Sequence, residues 1–288
     1  MTLTILFYLI FISQIFLLSY YFPKKIMGRI KYICAKYPPA DYPKLYPGSA
    51  ATKIPGHLIF YKGLNGAAFL IGLLLLIWGM ATGYRPEGHG EETIVTFYAV
   101  LQYASLILLS IWEFRNFKKM RQLNNSTTRT ADLQPRRLFD FLSPGWFMLA
   151  AVLLLMTLVF TYTVTDFTEK GLSDVFAKFA GPVLVNVYFL VFGRWFIYGR
   201  KLNPHQTAED RRREITISVK SMVFTSIMIS LFFIADEAVK TFDMAHLQPA
   251  LWSVYFQLIG ALSFSVMLHS DLIKNMDFSV YRKDASSL

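Results

Sequence analysis

The chain has 288 residues, of which 54% are hydrophobic and only 17% charged, and its mean hydropathy is +0.39. This composition excludes an ordinary soluble domain and is typical of an integral membrane protein. The formal charge of +10 would suggest nucleic acid if the basic residues formed one patch. They lie instead between long apolar segments, so we expect no nucleic-acid partner. The single cysteine, Cys34, cannot form an intrachain disulfide.

Seven segments approach or exceed the roughly 20 apolar residues that a helix needs to cross the hydrocarbon core of a bilayer. The first lacks the basic residues and the cleavage site of a secretory signal, so we expect it to be retained as a helix. The sequence therefore predicts an all-α integral membrane protein with seven transmembrane helices. The predicted spans are residues 3–22, 66–83, 93–112, 146–164, 180–198, 219–235 and 251–269.

Lys and Arg are distributed very unequally between the two sides of this topology. The side that holds the C-terminus carries 25 of the 29 basic residues, and the side that holds the N-terminus carries 4. Because basic connections stay in the cytoplasm, the N-terminus is predicted outside and the C-terminus inside. The chain would then be one N-terminal helix followed by three helical hairpins, in a plasma membrane or a bacterial inner membrane.

The predicted topology divides the chain into four parts. Residues 1–22 form the first transmembrane helix, and residues 23–65 form a basic cytoplasmic segment that is rich in Pro and Tyr. Prolines predict irregular structure in this segment, which could be a cap on the membrane face or a docking site for a partner. A six-helix core, residues 66–270, and a cytoplasmic tail, residues 271–288, complete the chain. A continuous helix from about residue 204 to 239 is also predicted.

Polar side chains inside a membrane are costly, so they are the first candidates for function. The amides of Gln102, Asn186 and Gln257, together with Arg194, could line a solute pathway or hydrogen-bond between helices. No carboxylate falls at mid-depth, which argues against a carrier coupled to protons or sodium. The second helix of each hairpin carries an aromatic pair and an amide, a pattern compatible with a threefold repeat.

Charged residues near the membrane faces form three further candidate groups. Glu113 and Arg200 could form an ion pair at the inner surface if the helix faces that carry them meet. Asp236 and Glu237 form an outer acidic cluster at the C-terminal end of a helix, where a carboxylate needs a nearby cation such as Lys240. Three consecutive arginines are predicted to contact anionic lipid headgroups on the inner side. These are Arg211, Arg212 and Arg213.

No residue pattern points to a particular reaction. The five histidines fall in five separate segments without metal-binding or haem spacing, and no nucleotide or nucleophile motif occurs. We therefore expect no cofactor, and an enzyme is not favoured. The leading hypothesis is a channel or carrier for a small solute through the helical core. Two alternatives stay open: a non-catalytic sensor or scaffold that acts through its basic cytoplasmic face, as a homo-oligomer or with a protein partner, and a lipid-modifying enzyme.

Overall fold

The computed structural model describes residues 2–85, 92–124, 136–165, 172–199, 201–268 and 275–283. Within these ranges the chain forms eight α-helices with short helical turns between them, and no strand. The prediction of an all-α protein is therefore confirmed. The helices are α1 (Thr2–Phe16), α2 (Phe22–Lys36), α3 (Ala50–Thr82), α4 (Glu92–Leu123), α5 (Pro144–Val164), α6 (Leu172–Tyr198), α7 (Ala208–Thr241) and α8 (Gln248–Leu268).

Six helical stretches of the described chain are long and apolar enough to cross a membrane. The first of them combines α1 and α2, and the other five correspond to α3 through α7. The protein is therefore a polytopic helical membrane protein. The seventh predicted span corresponds to α8, a helix of 21 residues that is not among these six. The six stretches are Leu3–Lys36, Ala50–Thr82, Glu92–Leu123, Pro144–Val164, Lys178–Tyr198 and Ala208–Thr241.

The Pro- and Tyr-rich segment, residues 23–65, is partly irregular, as its prolines predicted, and partly helical. α1 continues through a π-helical turn, Leu17–Tyr21, directly into α2. Residues 37–49, which hold four of the segment's six prolines, lie outside α-helix before α3 begins. Pro23 and Pro55, in contrast, lie inside α2 and α3.

The start of α6 differs from the prediction, whereas the start of α7 agrees with it and is now defined by a cap. α6 begins at Leu172, well before the predicted start at residue 180, so Pro182 lies inside the helix. α7 is the long helix that was predicted, and its 34 residues span about 51 Å at 1.5 Å per residue. It begins after Thr207, whose hydroxyl accepts a hydrogen bond from the backbone N–H of Asp210 (3.1 Å) and caps the helix.

The helices pack in two groups. In the four-helix group, α1, α3, α4 and α8 form a ring in which each helix contacts the next. In the three-helix group, α7 packs against both α5 and α6. The contact between α7 and α8 joins the two groups, so the first helix of the chain is an integral part of the bundle. Each pair that was predicted to form a hairpin is in contact: α3 with α4, α5 with α6, and α7 with α8.

Aromatic and aliphatic side chains fill the centre of the four-helix group. Phe11 of α1 packs on Tyr98 of α4 with ring centroids 5.4 Å apart, and both side chains are buried. Close approach depends on small residues, as is usual between membrane helices. A Cβ atom on Gly72 of α3 would lie only 2.2 Å from the Tyr98 hydroxyl, and one on Gly260 of α8 would lie 2.3 Å from Leu18. These glycines therefore set the spacing of the helices.

The bundle has two chemically different ends, which we name by their charge. At the acidic end α1 begins and α7 ends, with Asp236 and Glu237 nearby. At the basic end α2 and α6 end, α7 begins, and residues 275–283 of the C-terminal region pack across the helix ends. Tyr281 is fully buried there and accepts a hydrogen bond from the Asn203 side chain (2.6 Å). Burial, with nearby carboxylates, raises the pKa of Tyr281, so its hydroxyl stays protonated.

The same C-terminal residues connect the two helix groups. Phe278 stacks on Tyr37, which follows α2, with ring centroids 3.8 Å apart. The backbone N–H of Asp277 donates to Asp210 at the start of α7 (3.2 Å). The backbone N–H of Lys283 donates to the carbonyl of Asp41 (3.3 Å). Residues 275–283 therefore act as a clamp at the basic end, which we call the C-terminal clamp.

Replacing Tyr281 tests the contribution of this clamp to stability. Tyr281→Phe removes only the hydroxyl, leaves the Asn203 amide without its acceptor, and should lower the free energy of unfolding by about 1 kcal/mol. Tyr281→Ala also opens a cavity and should cost about 3–5 kcal/mol, as large-to-small aromatic changes do in cores. Tyr188→Phe, on an exposed side chain, serves as the control. Thermal unfolding in one detergent gives the measurement, and equal midpoints for all variants would contradict the clamp.

Candidate functional site

Gln14 of α1 is the centre of a hydrogen-bond network between three helices. Its side chain is fully buried, and its amide Nε2 donates to Oε1 of Gln102 on α4 (2.9 Å). Its own Oε1 accepts a hydrogen bond from the hydroxyl of Ser253 on α8 (2.5 Å). Gln14 therefore links α1, α4 and α8 in the middle of the four-helix group, where no water competes.

The network continues from Gln102 to the π-helical turn and to α3. The Nε2 of Gln102 donates to the hydroxyl of Ser19 (2.8 Å), which lies within 3.3 Å of the Tyr98 hydroxyl. Tyr98 in turn donates to the carbonyl of Ala68 on α3 (3.1 Å). The π-helical turn shifts the register of the chain between α1 and α2. Ser19, which belongs to this turn, is thereby in reach of Gln102.

Gln257 also bonds to neighbouring helices. Its Nε2 donates to the carbonyl of Ile10 on α1 (3.0 Å), and its Oε1 accepts from the hydroxyl of Ser13 (2.9 Å). Of the four residues that the sequence singled out inside the membrane, Gln102 and Gln257 are therefore engaged in contacts between helices. The sequence reasoning did not identify Ser19, Tyr98 or Ser253, because serine and tyrosine are common in any membrane helix.

Asn186 and Arg194 lie elsewhere, around a cavity between α5, α6 and α7. The cavity has a volume of about 420 Å³. Apolar side chains from all three helices make up most of its walls, including Phe147, Leu154 and Val223. A volume of this size falls within the ~300–1,000 Å³ that is typical of small-molecule sites. The cavity is therefore a candidate binding site for a small molecule.

The two polar residues lie at different depths of this cavity. Asn186 is 9% exposed, its Oδ1 accepts a hydrogen bond from Ser226 of α7, and its Nδ2 donates to the carbonyl of Pro182 (2.9 Å). Arg194 lies two turns further towards the basic end, about 12 Å along α6. It is exposed, its guanidinium stacks over the Tyr198 ring at 5.4 Å, and it makes no ion pair with a described residue. Among the residues that the structure describes, the cavity thus combines an apolar interior with one cation, Arg194, that makes no ion pair.

The three arginines at the start of α7 have different environments. Arg211 is 2% exposed, and it donates to the carbonyl of Phe196 at the end of α6 (3.0 Å). It lies 3.8 Å from Glu214, and its Nε and Nη1 have no hydrogen-bond partner among the described residues. Arg211 therefore caps the negative end of the α6 dipole instead of facing lipid. Arg212 is exposed, and Arg213 donates to the carbonyl of Asn275 in the C-terminal clamp (2.7 Å).

One of the two residues of the predicted inner ion pair lies outside the described residues. Glu113 is exposed and lies on α4 towards the basic end, whereas Arg200 falls outside the described residues. The carboxylate of Glu214 on α7 also lies in the electrostatic surroundings of Glu113. The pairing of Glu113 with Arg200 therefore stays a prediction.

At the acidic end, Asp236 and Glu237 have separate partners. Asp236 accepts hydrogen bonds from Lys240 (2.5 Å), from Gln248 (3.1 Å) and from the Trp252 indole N–H (3.0 Å). Glu237 pairs with Lys178 of α6 (2.8 Å). Asp236 thus joins α7 to α8, and Glu237 joins α7 to α6. Lys178 lies 59 residues upstream of Glu237, so sequence spacing gave no signal for this pair.

Within the ranges that the structure describes, no group of three or more His, Cys, Asp or Glu side chains could hold a metal ion. The chain matches no family model, no curated protein and no solved structure.

We expect that loss of the Gln14 side chain destabilises the fold without changing ligand binding. Gln14→Leu leaves Oε1 of Gln102 and the hydroxyl of Ser253 without partners in a dry interior, which should lower the free energy of unfolding by about 1–3 kcal/mol. Gln122→Leu, on an exposed side chain of α4, removes an amide that makes no contact between helices. Unfolding of both variants by heat or denaturant in one detergent gives the comparison.

A double variant with Leu at both Gln14 and Gln102, compared with the two single variants, tests whether these side chains hold the helices together or line a solute pathway. Because the two side chains share a hydrogen bond, the double replacement by Leu should cost less than the sum of the two single replacements. A Gln14→Leu protein that is as stable as Gln122→Leu would refute the structural role of the network.

Proposed function

We propose that the protein crosses the membrane seven times, with α8 as the seventh span and with the basic end in the cytoplasm. The distribution of Lys and Arg supports this orientation, since 25 of the 29 lie in connections on that side. The packing of α8 against α1, α4 and α7 also supports a spanning position for it. The N-terminus is then outside and the C-terminal clamp faces the cytoplasm.

Cysteine labelling tests this topology. In a background with Cys34→Ala, we expect Phe242→Cys, on an exposed side chain at the acidic end, to react with a membrane-impermeant maleimide on intact cells. Leu123→Cys, which is exposed at the end of α4, should react only after the cells are permeabilised. The reverse pattern would invert the topology, and labelling of both from outside would remove one span.

We propose further that the protein is a carrier for a small amphipathic anion, which binds in the cavity between α5, α6 and α7. One observation carries this proposal: an apolar cavity of about 420 Å³ has a cation towards its basic end, Arg194, which makes no ion pair with any described residue. An apolar body would fill the interior, and an anionic group would pair with the exposed guanidinium of Arg194. The ordinary alternative for Arg194 is contact with lipid phosphates of the same leaflet.

The cavity is a better candidate for the solute site than the axis of the four-helix group. There, the side chains of Gln14 and Gln102 already bond to each other and to hydroxyl groups, so little of their hydrogen-bonding capacity is left for a passing solute. In the cavity, Asn186 has one amide hydrogen that no other described group accepts. A solute oxygen at the deep end could take this hydrogen.

Transport of a defined probe tests the carrier proposal. Octyl phosphate combines an apolar chain with a charged group, and octyltrimethylammonium has the same chain with the opposite charge. We expect wild-type proteoliposomes to take up the phosphate and to exclude the ammonium compound. Gly193→Leu adds a side chain where the nearest atom to a new Cβ is Met222 Sδ at 4.0 Å, and it should reduce the uptake rate roughly tenfold by filling the cavity.

Gly66→Leu is the matched control, because it makes the same change in another helix at a position where a Cβ would meet nothing within 4 Å. Its uptake should equal that of the wild type. Arg194→Gln should abolish the preference for the anion while it leaves the fold intact. If uptake is absent in the wild type, or if both glycine variants behave alike, the proposed site is incorrect.

The scaffold hypothesis has a separate observation in its favour, which is the ordered basic end. The C-terminal clamp holds residues 37–46 and the start of α7 in one surface, with Arg212 exposed beside it. A protein partner that co-purifies with wild type and is lost with Tyr281→Ala would favour this second function. A lipid-modifying enzyme has less support, since no His, Asp, Glu or Cys lines the cavity within the described residues.

A further inference from the structure

A second hollow lies on the four-helix group, and none of its lining residues belongs to α5 or α6. It is a groove along α4, bordered by Ser263 of α8, with a volume of about 820 Å³. Its floor and walls are largely apolar, and Ile107, Ile111 and Phe114 line it with between 40% and 58% of their surfaces exposed. The groove is therefore open along its length and suits an elongated apolar chain.

The length of the apolar part matches one leaflet of a bilayer. The groove runs from Tyr103 to Phe114, which corresponds to about 17 Å along a helix that rises 1.5 Å per residue. Half the hydrocarbon thickness of a typical bilayer is about 15 Å. An acyl chain from the leaflet at the basic end would therefore occupy the groove without reaching the other leaflet.

Basic residues continue the groove towards the basic end. Arg115, Lys118 and Arg121 recur every three residues, so they lie close to the line that Ile111 and Phe114 begin. A smaller hollow of about 410 Å³ adjoins the groove. It shares Phe114 and Lys118 with the groove and is also lined by Arg121. The apolar groove therefore opens directly into a basic recess.

These three cations have no anionic partner in the described part of the protein. All three side chains are exposed, and none forms an ion pair or a hydrogen bond with a described residue. The nearest carboxylate in sequence, Glu113, is two residues from Arg115 and so points to a different side of the helix. The recess has a net positive charge that a phosphate would neutralise.

We propose that the groove and the basic recess together bind one anionic phospholipid from the leaflet at the basic end. One acyl chain lies along Ile107, Ile111 and Phe114, and the phosphate lies among Arg115, Lys118 and Arg121. This site is separate from the cavity between α5, α6 and α7, and it does not depend on the proposed transport function. The second acyl chain of the lipid faces the bilayer through the open side of the groove.

Native mass spectrometry in a defined lipid mixture tests this site. The full-length protein is exchanged into micelles that contain equal amounts of phosphatidylglycerol and phosphatidylcholine, and the retained lipid is counted. Wild type should retain one phosphatidylglycerol in preference to phosphatidylcholine. The triple variant Arg115→Gln/Lys118→Gln/Arg121→Gln should bind it more weakly by a factor on the order of a hundred, since each cation contributes to binding of an anionic headgroup.

The matched control removes three exposed lysines from α2 at the same end of the bundle, with Lys24→Gln/Lys25→Gln/Lys31→Gln. It should retain the lipid as wild type does. Ser263→Phe blocks the groove without a change of charge and should also release the lipid, which keeps the test valid if the triple variant fails to fold. The proposal is overturned if the groove variants retain the lipid as well as wild type does, or if the lysine control loses as much lipid as the triple variant. It is also overturned if wild type shows no preference for the anionic lipid.

Discussion

The constraint on which this structure depends is that polar groups in a dry bundle must find their partners inside the protein. Gln14 shows how the chain meets it, because both ends of this one amide are bonded to side chains of other helices. In a hydrocarbon environment an unpaired amide would cost several kcal/mol, so these bonds fix which helices are neighbours. The ring of α1, α3, α4 and α8 follows from them, and the glycines at positions 72 and 260 then allow the close approach that the bonds require.

Hydropathy predicted the helical class and the approximate positions of the apolar segments, since these depend on composition over about 20 residues. It underestimated how far the helices continue beyond the apolar part. α2, the end of α4 and the start of α7 are polar or charged, yet they stay helical because Lys, Arg and Glu are good helix formers. Proline was a weaker guide: Pro23 and Pro55 lie inside α2 and α3, although the segment that holds them was expected to be irregular.

The roles of the membrane amides could not be separated from sequence. Gln102, Asn186 and Gln257 have the same chemistry and similar neighbours along the chain. They differ in what faces them across the bundle: Gln102 and Gln257 meet polar groups of α1, whereas Asn186 meets Ser226 beside a cavity. That difference is a property of helix packing, which depends on contacts between residues more than two hundred positions apart, as between Gln14 and Ser253. The partner of Glu237 was hidden from the sequence for the same reason.

The two helix groups differ in where their buried polar contacts lie. The four-helix group is held at its centre by the Gln14 network and by Gln257, so a rearrangement there would break several buried hydrogen bonds at once. In the three-helix group the contacts are spread along the length of α7. Thr157 of α5 donates to the carbonyl of Ser230 (3.2 Å), and α6 is bonded to α7 beside the cavity, at the acidic end and at the basic end. A shift of α6 against α7 would therefore break polar contacts at both ends of the bundle as well as at the cavity.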